Sequence, residues 1–167
     1  MQRKKTEIKK ERIAQAATDI FIGKGYKNTS LQDIALTVGI TKAGIYHYFK
    51  TKEEILYYIL SSFHNSNIDA FQKVQSEIES PDLNPTDSLK IVIRAYAKLS
   101  ATKQNVNLLS LREMDQLTGI NKKNYRKIQQ EIFDRLRNVV GQIPNLKTSL
   151  DLNTVVFMII SMSAWFG

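Results

Sequence analysis

A single glycine, Gly39, separates two short amphipathic segments, and this arrangement limits what the first third of the chain can form. The apolar residues before the glycine recur at helical spacing: Leu31, Ile34, Ala35 and Val38. After it, Thr41 can cap a second short helix that contains Ile45. Because glycine readily takes the left-handed conformation that a tight turn needs, the pattern predicts a helix-turn-helix.

A longer helix is predicted in front of this motif. Its apolar stripe comprises Ile13, Ala16, Ala17, Ile20 and Phe21. Gly23 and Gly25 end this helix. Thr29, with Gln32 three residues later, has the pattern of a capping box for the helix that follows.

The rest of the chain is also predicted to be helical, which makes the protein all-α. An apolar stripe from Ile55 to Phe63 starts a long helix that continues to about Ile78. Two prolines within residues 80–85 then interrupt the pattern with a loop. Further helices are predicted at 86–103, 105–117 and 121–141, and a last helix begins near Leu152 after a break at 143–151.

The positive charge of the chain is concentrated near its N-terminus. The sequence has 24 lysine and arginine residues against 16 aspartate and glutamate residues, which gives a formal net charge of +8. Residues 1–55 hold 11 of these cations and 6 of the acids. The densest cluster comprises Arg3, Lys4, Lys5, Lys9, Lys10 and Arg12. Two interpretations are open for it, an arm along a phosphate backbone or a solvated first turn of the helix.

The second helix of the motif has an unusual exposed face. A helical projection places Ile45 and Phe49 on the buried side. The opposite side and its flanks comprise Ala43, Gly44, Tyr46, His47 and Lys50. A glycine inside a helix costs about 1 kcal/mol relative to alanine, and close approach of the backbone to a groove would compensate for it. Since polar rings and a lysine can donate to phosphates, this face is predicted to meet the major groove of DNA.

Residues 25–56, GYKNTSLQDIALTVGITKAGIYHYFKTKEEIL, resemble the DNA-binding domain of the TetR family of transcriptional regulators. The resemblance is carried by Gly25, Tyr26, Thr29, Ile34, Ala35, Gly39, Ile45, Tyr46, Tyr48, Phe49 and Lys52. It implies a three-helix helix-turn-helix DNA-binding domain in residues 1–53 and a helical ligand-binding and dimerisation domain in residues 54–167. It also implies a homodimer on a palindromic operator, which usually represses and is released when a small molecule binds.

Carried over by position, the resemblance implies two sets of DNA contacts. Bases or the adjacent backbone would be met by Thr41, Lys42, Ala43, Gly44 and Tyr46, and phosphates by Thr29, His47, Tyr48 and Lys52. Tyr48 can instead belong to the core, and Lys52 can instead pair with the two glutamates that follow it. Because two residues of the first set have almost no side chain, sequence reading would rest on Lys42, Tyr46, methyl contacts and DNA shape.

For the C-terminal region the resemblance implies a ligand cavity but supplies no motif for its lining. The inner-facing candidates are Phe71, Tyr96, Leu99, Leu109, Leu111, Met114, Met158 and Met162. Plain core packing is the alternative for each of them, since methionine and aromatic side chains fill cores.

The effector itself is expected to be a small apolar molecule, with an acyl-CoA as one candidate. Residues 108–117 and the basic run 121–137 are faintly similar to the branch of the family that senses acyl-CoA-like ligands. In that interpretation a CoA phosphate would meet Lys122, Lys123, Arg126 and Lys127. The alternative is that these four side chains form an exposed helix face.

The last 16 residues, 152–167, are uncharged and mostly apolar. A membrane span needs about 20 apolar residues, so a buried dimerisation helix is the better interpretation. Members of the family typically continue for another helix, and the sequence is therefore expected to be shortened at its C-terminus.

The sequence contains no motif that indicates an enzyme or a cofactor. The chain has no cysteine, and its two histidines stand far apart at positions 47 and 64, so no metal site is expected. A charged N-terminus that leads into no apolar signal segment predicts a cytoplasmic protein without a membrane partner.

Two functions remain open at this point. The first is a homodimeric repressor that leaves its DNA operator when a small molecule binds. The second is a DNA-binding module without a ligand, which a protein partner controls or which acts architecturally. A cavity of about 300 Å³ or more among the C-terminal helices would favour the first.

Overall fold

In a computed structural model, which describes residues 2–80, 82–143 and 151–165, this part of the chain forms eight α-helices and no β-strand. The helices are α1 Gln2–Lys24, α2 Leu31–Val38, α3 Lys42–Tyr46, α4 Lys52–Ile78, α5 Pro85–Thr102, α6 Gln104–Glu113, α7 Gly119–Gly141 and α8 Leu152–Trp165. A short 3-10 helix, Met114–Gln116, follows α6. The predicted all-α fold is confirmed. The predicted break at 143–151 falls almost entirely outside the described residues.

The chain divides into two compact units. The first comprises residues 1–62 and 105–125, and the second comprises residues 63–104 and 126–167. The boundary predicted after residue 53 separates a DNA-binding domain from a ligand-binding domain. The packing units do not test this division by function, so it stays a prediction.

The core of the first unit is built from the apolar stripes that the sequence indicates. Its fully buried side chains include Ile13, Ala17, Phe21, Ile34, Ala35, Ile45, Ile55, Leu56, Leu60, Leu109 and Leu117. α1 packs against α2, and α2 packs against α3. Because α2 and α3 are too short to be stable alone, their place is fixed by this shared core.

Local hydrogen bonds set both ends of α2. Ser30 is the N-cap: its hydroxyl accepts the N–H of Asp33 at 3.1 Å, and the Asp33 carboxylate accepts the N–H of Ser30 at 2.8 Å. The capping box predicted at Thr29 is therefore wrong by one residue, because the Thr29 hydroxyl donates instead to the carbonyl of Gly25 at 2.8 Å. At the other end, Gly39 has a φ of +74°, as a left-handed turn requires.

The second unit has its own core, where α5 packs against α8. The buried residues are Ile68, Val92, Ile132, Leu136, Val139, Val140 and Val156. The predicted loop at 80–85 is confirmed in its described part, since α5 begins at Pro85 after Asn84, whose side chain accepts the N–H of Asp87 at 3.0 Å. Among the described helices, none combines the length and the apolar character that a membrane crossing requires.

Candidate nucleic-acid interface and effector cavity

Helix α3 is short and capped at both ends. The hydroxyl of Thr41 accepts the N–H of Gly44 at 3.0 Å and so begins the helix. The helix ends at Tyr46, with His47 as its C-cap, whereas the sequence projection extended it to Lys50. Ile45 is nevertheless fully buried and Phe49 is buried after the helix end, as predicted. The buried side chain of Ile45 thus anchors α3 and leaves its other side chains outward.

Five of the predicted DNA contacts lie together on or beside α3 with exposed side chains: Thr41, Lys42, Ala43, Tyr46 and His47. Tyr46 is 39% exposed although it is aromatic, and it directly follows the fully buried Ile45. A surface with a cation, a phenol, an imidazole and a methyl group can donate to phosphates and contact base edges. This is the chemistry that a major-groove helix needs.

Gly44 has a local packing role in addition to the close approach to DNA that the sequence suggests. A Cβ at this position would lie 3.2 Å from the Thr41 hydroxyl oxygen. That distance is tight, so the capping hydroxyl would have to move by a few tenths of an ångström. The glycine therefore protects the cap of α3.

Two predicted phosphate contacts are less accessible than the exposed side chains of α3. The side chain of Thr29 is 3% exposed, and its hydroxyl is bonded to Gly25. Tyr48 is half-buried and packs against the core of the first unit, which agrees with its alternative interpretation as a core residue. At the entrance to α2, the exposed hydroxyl-bearing residue is Ser30, which the sequence analysis did not select.

Lys52, the remaining predicted phosphate contact, points inward. Its Nζ donates to the carbonyl oxygens of Tyr26 at 2.6 Å and Thr29 at 2.7 Å, with Lys27 at 3.4 Å. The ammonium also lies 4.3 Å from the centroid of the Tyr26 ring. Burial lowers the pKa of Lys52 below its ordinary value, against the opposing effect of two carboxylates. The alternative pairing with the following glutamates is not found either. The Glu53 carboxylate accepts hydrogen bonds from Thr118 and Asn121, and the Glu54 carboxylate accepts the backbone N–H of Lys50.

The basic cluster at the N-terminus forms the first turns of α1 rather than an extended arm. Lys4, Lys5 and Arg12 are exposed. Lys10 is half-buried, and its Nζ lies 5.6 Å from the centroid of the Phe49 ring. The side chain of Arg3 lies outside the described residues.

The second unit contains a cavity of about 430 Å³. It is lined by His64, Tyr96, Arg126, Gln129, Gln130, Ile132, Phe133, Phe157 and Ile160. The lining contains one guanidinium group and no carboxylate. Burial lowers the pKa of His64 to about 4, so its imidazole is neutral at pH 7. The cavity therefore offers aromatic and aliphatic walls, two amides and one fixed positive charge.

Two smaller spaces lie in the same unit. One, of about 220 Å³, is lined largely by polar side chains that include Gln75, Glu79 and Asn138. The other, between Asn67, Phe71, Tyr96 and their apolar neighbours, has only about 20 Å³. That is room for about one water molecule.

The eight predicted ligand-binding residues do not meet at one site. Tyr96 lines the 430 Å³ cavity, and Phe71 lines both smaller spaces. Leu99 is half-buried, while Leu109 lies in the core of the first unit. The inner-facing placement is wrong for four residues, whose side chains are exposed: Leu111, Met114, Met158 and Met162. Helical spacing shows which apolar residues share one face of a helix, but it does not show whether another helix covers that face.

The basic residues considered for a CoA phosphate are spread along α7. Lys122 is paired with Asp115 at 3.7 Å, and Lys123, Arg126 and Lys127 are exposed. Of the four, Arg126 lines the 430 Å³ cavity. Within the residues that the structure describes, no group of three acidic or histidine side chains could hold a metal ion.

Comparison with known proteins agrees with the resemblance of the N-terminal region to the TetR family. Residues 13–59 match the model of the family described as bacterial regulatory proteins, tetR family. The HTH-type transcriptional repressor KstR2 of Mycolicibacterium smegmatis is 30% identical over 73 residues, which are 44% of this chain and 36% of that protein. The chain spans between 36% and 52% of the length of this and two further curated relatives.

Solved structures extend the similarity to nearly the whole chain. The TetR family transcriptional regulator PfmR from Thermus thermophilus is 27% identical with a TM-score of 0.81, over 92% of this chain and 82% of that one. AibR in complex with isovaleryl coenzyme A and operator DNA is 26% identical with a TM-score of 0.74, over 93% of this chain and 84% of that one. The architecture of both units is therefore shared with solved regulators.

Proposed function

Because the chain belongs to the TetR family of transcriptional regulators, we propose that it is a homodimeric repressor that binds a specific DNA operator and releases it when a small apolar molecule binds. The observation that carries the proposal is α3 itself. Ile45 anchors this capped helix in the core, and Lys42 and Tyr46 are exposed beside it. The family consists of transcriptional regulators and not of enzymes, which confirms the expectation of a protein without catalytic activity.

The cavity of about 430 Å³ supports the proposed effector. Pockets for small molecules have volumes of about 300–1,000 Å³ and apolar walls with a few polar groups. The aromatic rings of Tyr96, Phe133 and Phe157 suit an apolar body, and Arg126 suits an anionic head. A DNA-binding module without a ligand would not require a cavity of this size and lining.

An acyl-CoA is the first effector class to test. AibR, a structural relative, was solved with isovaleryl coenzyme A. In the proposed arrangement the acyl chain lies among the rings of the cavity, and Arg126 faces an anionic part of the molecule. Free carboxylic acids with the same chains are the matched comparison, because they have the apolar body without the nucleotide.

Homodimerisation is proposed through α8. Two large apolar side chains on this helix that do not line the cavity are exposed in the single chain: Met158 and Met162. Covering them with a second copy would remove apolar surface from water, and a two-fold operator requires a two-fold protein. Cytoplasmic location follows from the proposed DNA partner.

Selection of bound duplexes from a random DNA pool tests the proposed function. We expect an inverted repeat whose half-sites are separated by about 34 Å, or one helical turn, or a multiple of it. Binding that depends only on salt and shows no enriched sequence would contradict an operator-specific regulator. Titration of acyl-CoA thioesters and free acids against the labelled duplex then tests the effector. Release by neither series would remove the acyl-CoA proposal and leave DNA recognition standing.

A further inference from the structure

The ammonium group of Lys52 joins the two chain segments on either side of the helix-turn-helix. Tyr26 and Thr29 precede α2, and Lys52 follows α3 at the first position of α4. The contact from Nζ to the Tyr26 carbonyl closes 26 residues of chain. We call the set of bonds from Lys52 Nζ to the carbonyls of Tyr26, Lys27 and Thr29 the Lys52 bridge.

The bridge uses the whole hydrogen-bonding capacity of the ammonium group. A lysine has three N–H donors, and three carbonyl oxygens surround this one, at 2.6, 2.7 and 3.4 Å. The face of the Tyr26 ring covers the group from another side, at 4.3 Å. A DNA phosphate could be reached only if these bonds were broken. The N–H donors of Lys52 are therefore already used in bonds within the protein.

The turn that the bridge holds controls the start of α2. Thr29, whose carbonyl accepts from Lys52, also bonds through its hydroxyl to the carbonyl of Gly25. The next residue, Ser30, is the N-cap of α2 and is bonded to Asp33. Asp33 in turn pairs with Lys24 at 3.1 Å. A shift of the Thr29 carbonyl would thus move the cap of α2, and α2 packs directly against α3.

We propose that Lys52 is a positioning residue for operator recognition, which sets α3 through the turn before α2 and makes no contact with a DNA phosphate. The inference rests on the proposed DNA-binding function. It assigns Lys52 a role that differs from the phosphate contact implied by its position in the motif. Loss of the bridge should therefore reduce selectivity for the operator and leave the electrostatic part of binding unchanged.

Two substitutions separate these roles. Lys52→Met keeps the apolar stem and removes all three donors. Lys52→Arg keeps the positive charge, but a planar guanidinium group cannot direct three N–H donors from one point as an ammonium group does. Lys42→Met removes an exposed cation of α3 and serves as the control for a lost DNA contact. The probes are the duplex selected by the unmodified protein and a random duplex of the same length.

Dissociation constants are measured for both duplexes at several salt concentrations. The temperature is kept below the lowest melting temperature among the protein variants. Stoichiometric titration gives the fraction of each variant that is competent to bind. We expect both Lys52 variants to lose about tenfold in affinity for the selected duplex and little for the random one. The slope of log K against log salt should stay unchanged for Lys52→Met, whereas Lys42→Met should make it shallower by about 0.9 if Lys42 meets one phosphate.

Other outcomes would overturn the proposal. A shallower salt slope for Lys52→Met, with equal losses on both duplexes and normal binding by Lys52→Arg, would show a phosphate contact. A lowered melting temperature with unchanged affinity and selectivity of the folded fraction would show that the bridge only stabilises the fold. If the unmodified protein selects no duplex, the proposed function fails before any variant is compared.

Discussion

The carboxylate of Glu53 accepts two hydrogen bonds from Thr118, one from the backbone N–H and one from the hydroxyl, each at 2.9 Å. Asn121 adds a third at 3.2 Å. Glu53 lies in the first turn of α4, and Thr118 immediately precedes α7, so the contact joins the starts of two helices in the first unit. Burial raises the pKa of Glu53, but these hydrogen bonds lower it more, and it lies below its ordinary value.

Replacement of Glu53 by alanine should lower the free energy of unfolding by about 1–2 kcal/mol, because three donor groups, two on Thr118 and one on Asn121, lose their acceptor. Urea denaturation measures the change, and Glu77→Ala, at an exposed position of the same helix, is the control. Since the pKa of Glu53 is depressed on folding, its contribution is present above pH 4.5, the ordinary pKa, and is lost as the pH falls below that value. Equal effects of the two substitutions would contradict the role of the contact.

His64 should make the stability of the protein depend on pH in a higher range. Burial holds the pKa of His64 at about 4, against an ordinary value of 6.5. Between these values the unfolded chain binds the proton and the folded chain does not, so stability falls as the pH falls from 6.5 to 4, by up to about 3 kcal/mol. Urea titrations across this range measure it. His64→Gln should remove the decline, while His47→Gln, at an exposed position, should retain it. A profile that His64→Gln leaves unchanged would show that other groups cause the decline.

Neighbouring residues of α3 should separate folding from DNA binding. Ile45→Ala removes a fully buried side chain and should destabilise the protein by about 2–5 kcal/mol. Tyr46→Ala and Lys42→Ala should leave the melting temperature nearly unchanged and weaken binding to the selected duplex by about 1–3 kcal/mol each. Thermal melting and fluorescence anisotropy measure the two effects. If Tyr46→Ala proved more destabilising than Ile45→Ala, the assignment of the buried side of α3 would be wrong.

The helices could be predicted from the sequence because their signals are local. Apolar stripes at helical spacing, together with Gly39 and Pro85, place most helix boundaries within about two residues. The cap of α2 shows the limit of such local signals, because the sequence predicted Thr29 and the structure has Ser30. Both residues have a hydroxyl, and the carbonyl of Gly25, four residues earlier, determines which hydroxyl remains for the helix.

The candidate site was only partly predictable, because contacts between distant residues decide it. Lys52 has the charge of a phosphate contact, yet its neighbours in space are carbonyls more than 20 residues away. Met158 and Met162 have the apolar character of cavity residues, yet α8 leaves them exposed in the single chain. The face of α3 was predictable, since Ile45 fixes the orientation of a helix of five residues.

The basic start of α1 should add to DNA affinity without adding to sequence selectivity. Lys4 and Lys5 are exposed on a helix, so replacing both with methionine removes charge and preserves the length of α1. We expect equal losses of affinity for the selected and the random duplex, with a shallower slope of log K against log salt. Lys73→Met with Lys98→Met changes the net charge equally at exposed positions of the second unit and is the control. The same slope for both pairs would show that α1 does not lie near DNA.

In the proposed switch, effector and operator must weaken each other's binding by the same factor, because both equilibria belong to one thermodynamic cycle. Coupling of about 1–3 kcal/mol corresponds to a factor of about 5–150. Calorimetric titration of the acyl-CoA that releases DNA, with and without a saturating selected duplex, measures this factor from the effector side. Arg126→Met should weaken effector binding in both titrations and leave DNA affinity unchanged, since Arg126 lines the cavity. The control is Arg137→Met, at another exposed position of α7, which should change neither effector binding nor DNA affinity. An effector that releases DNA but binds equally well in its presence would not act through equilibrium coupling, and partial unfolding by the amphiphilic compound would then explain the release.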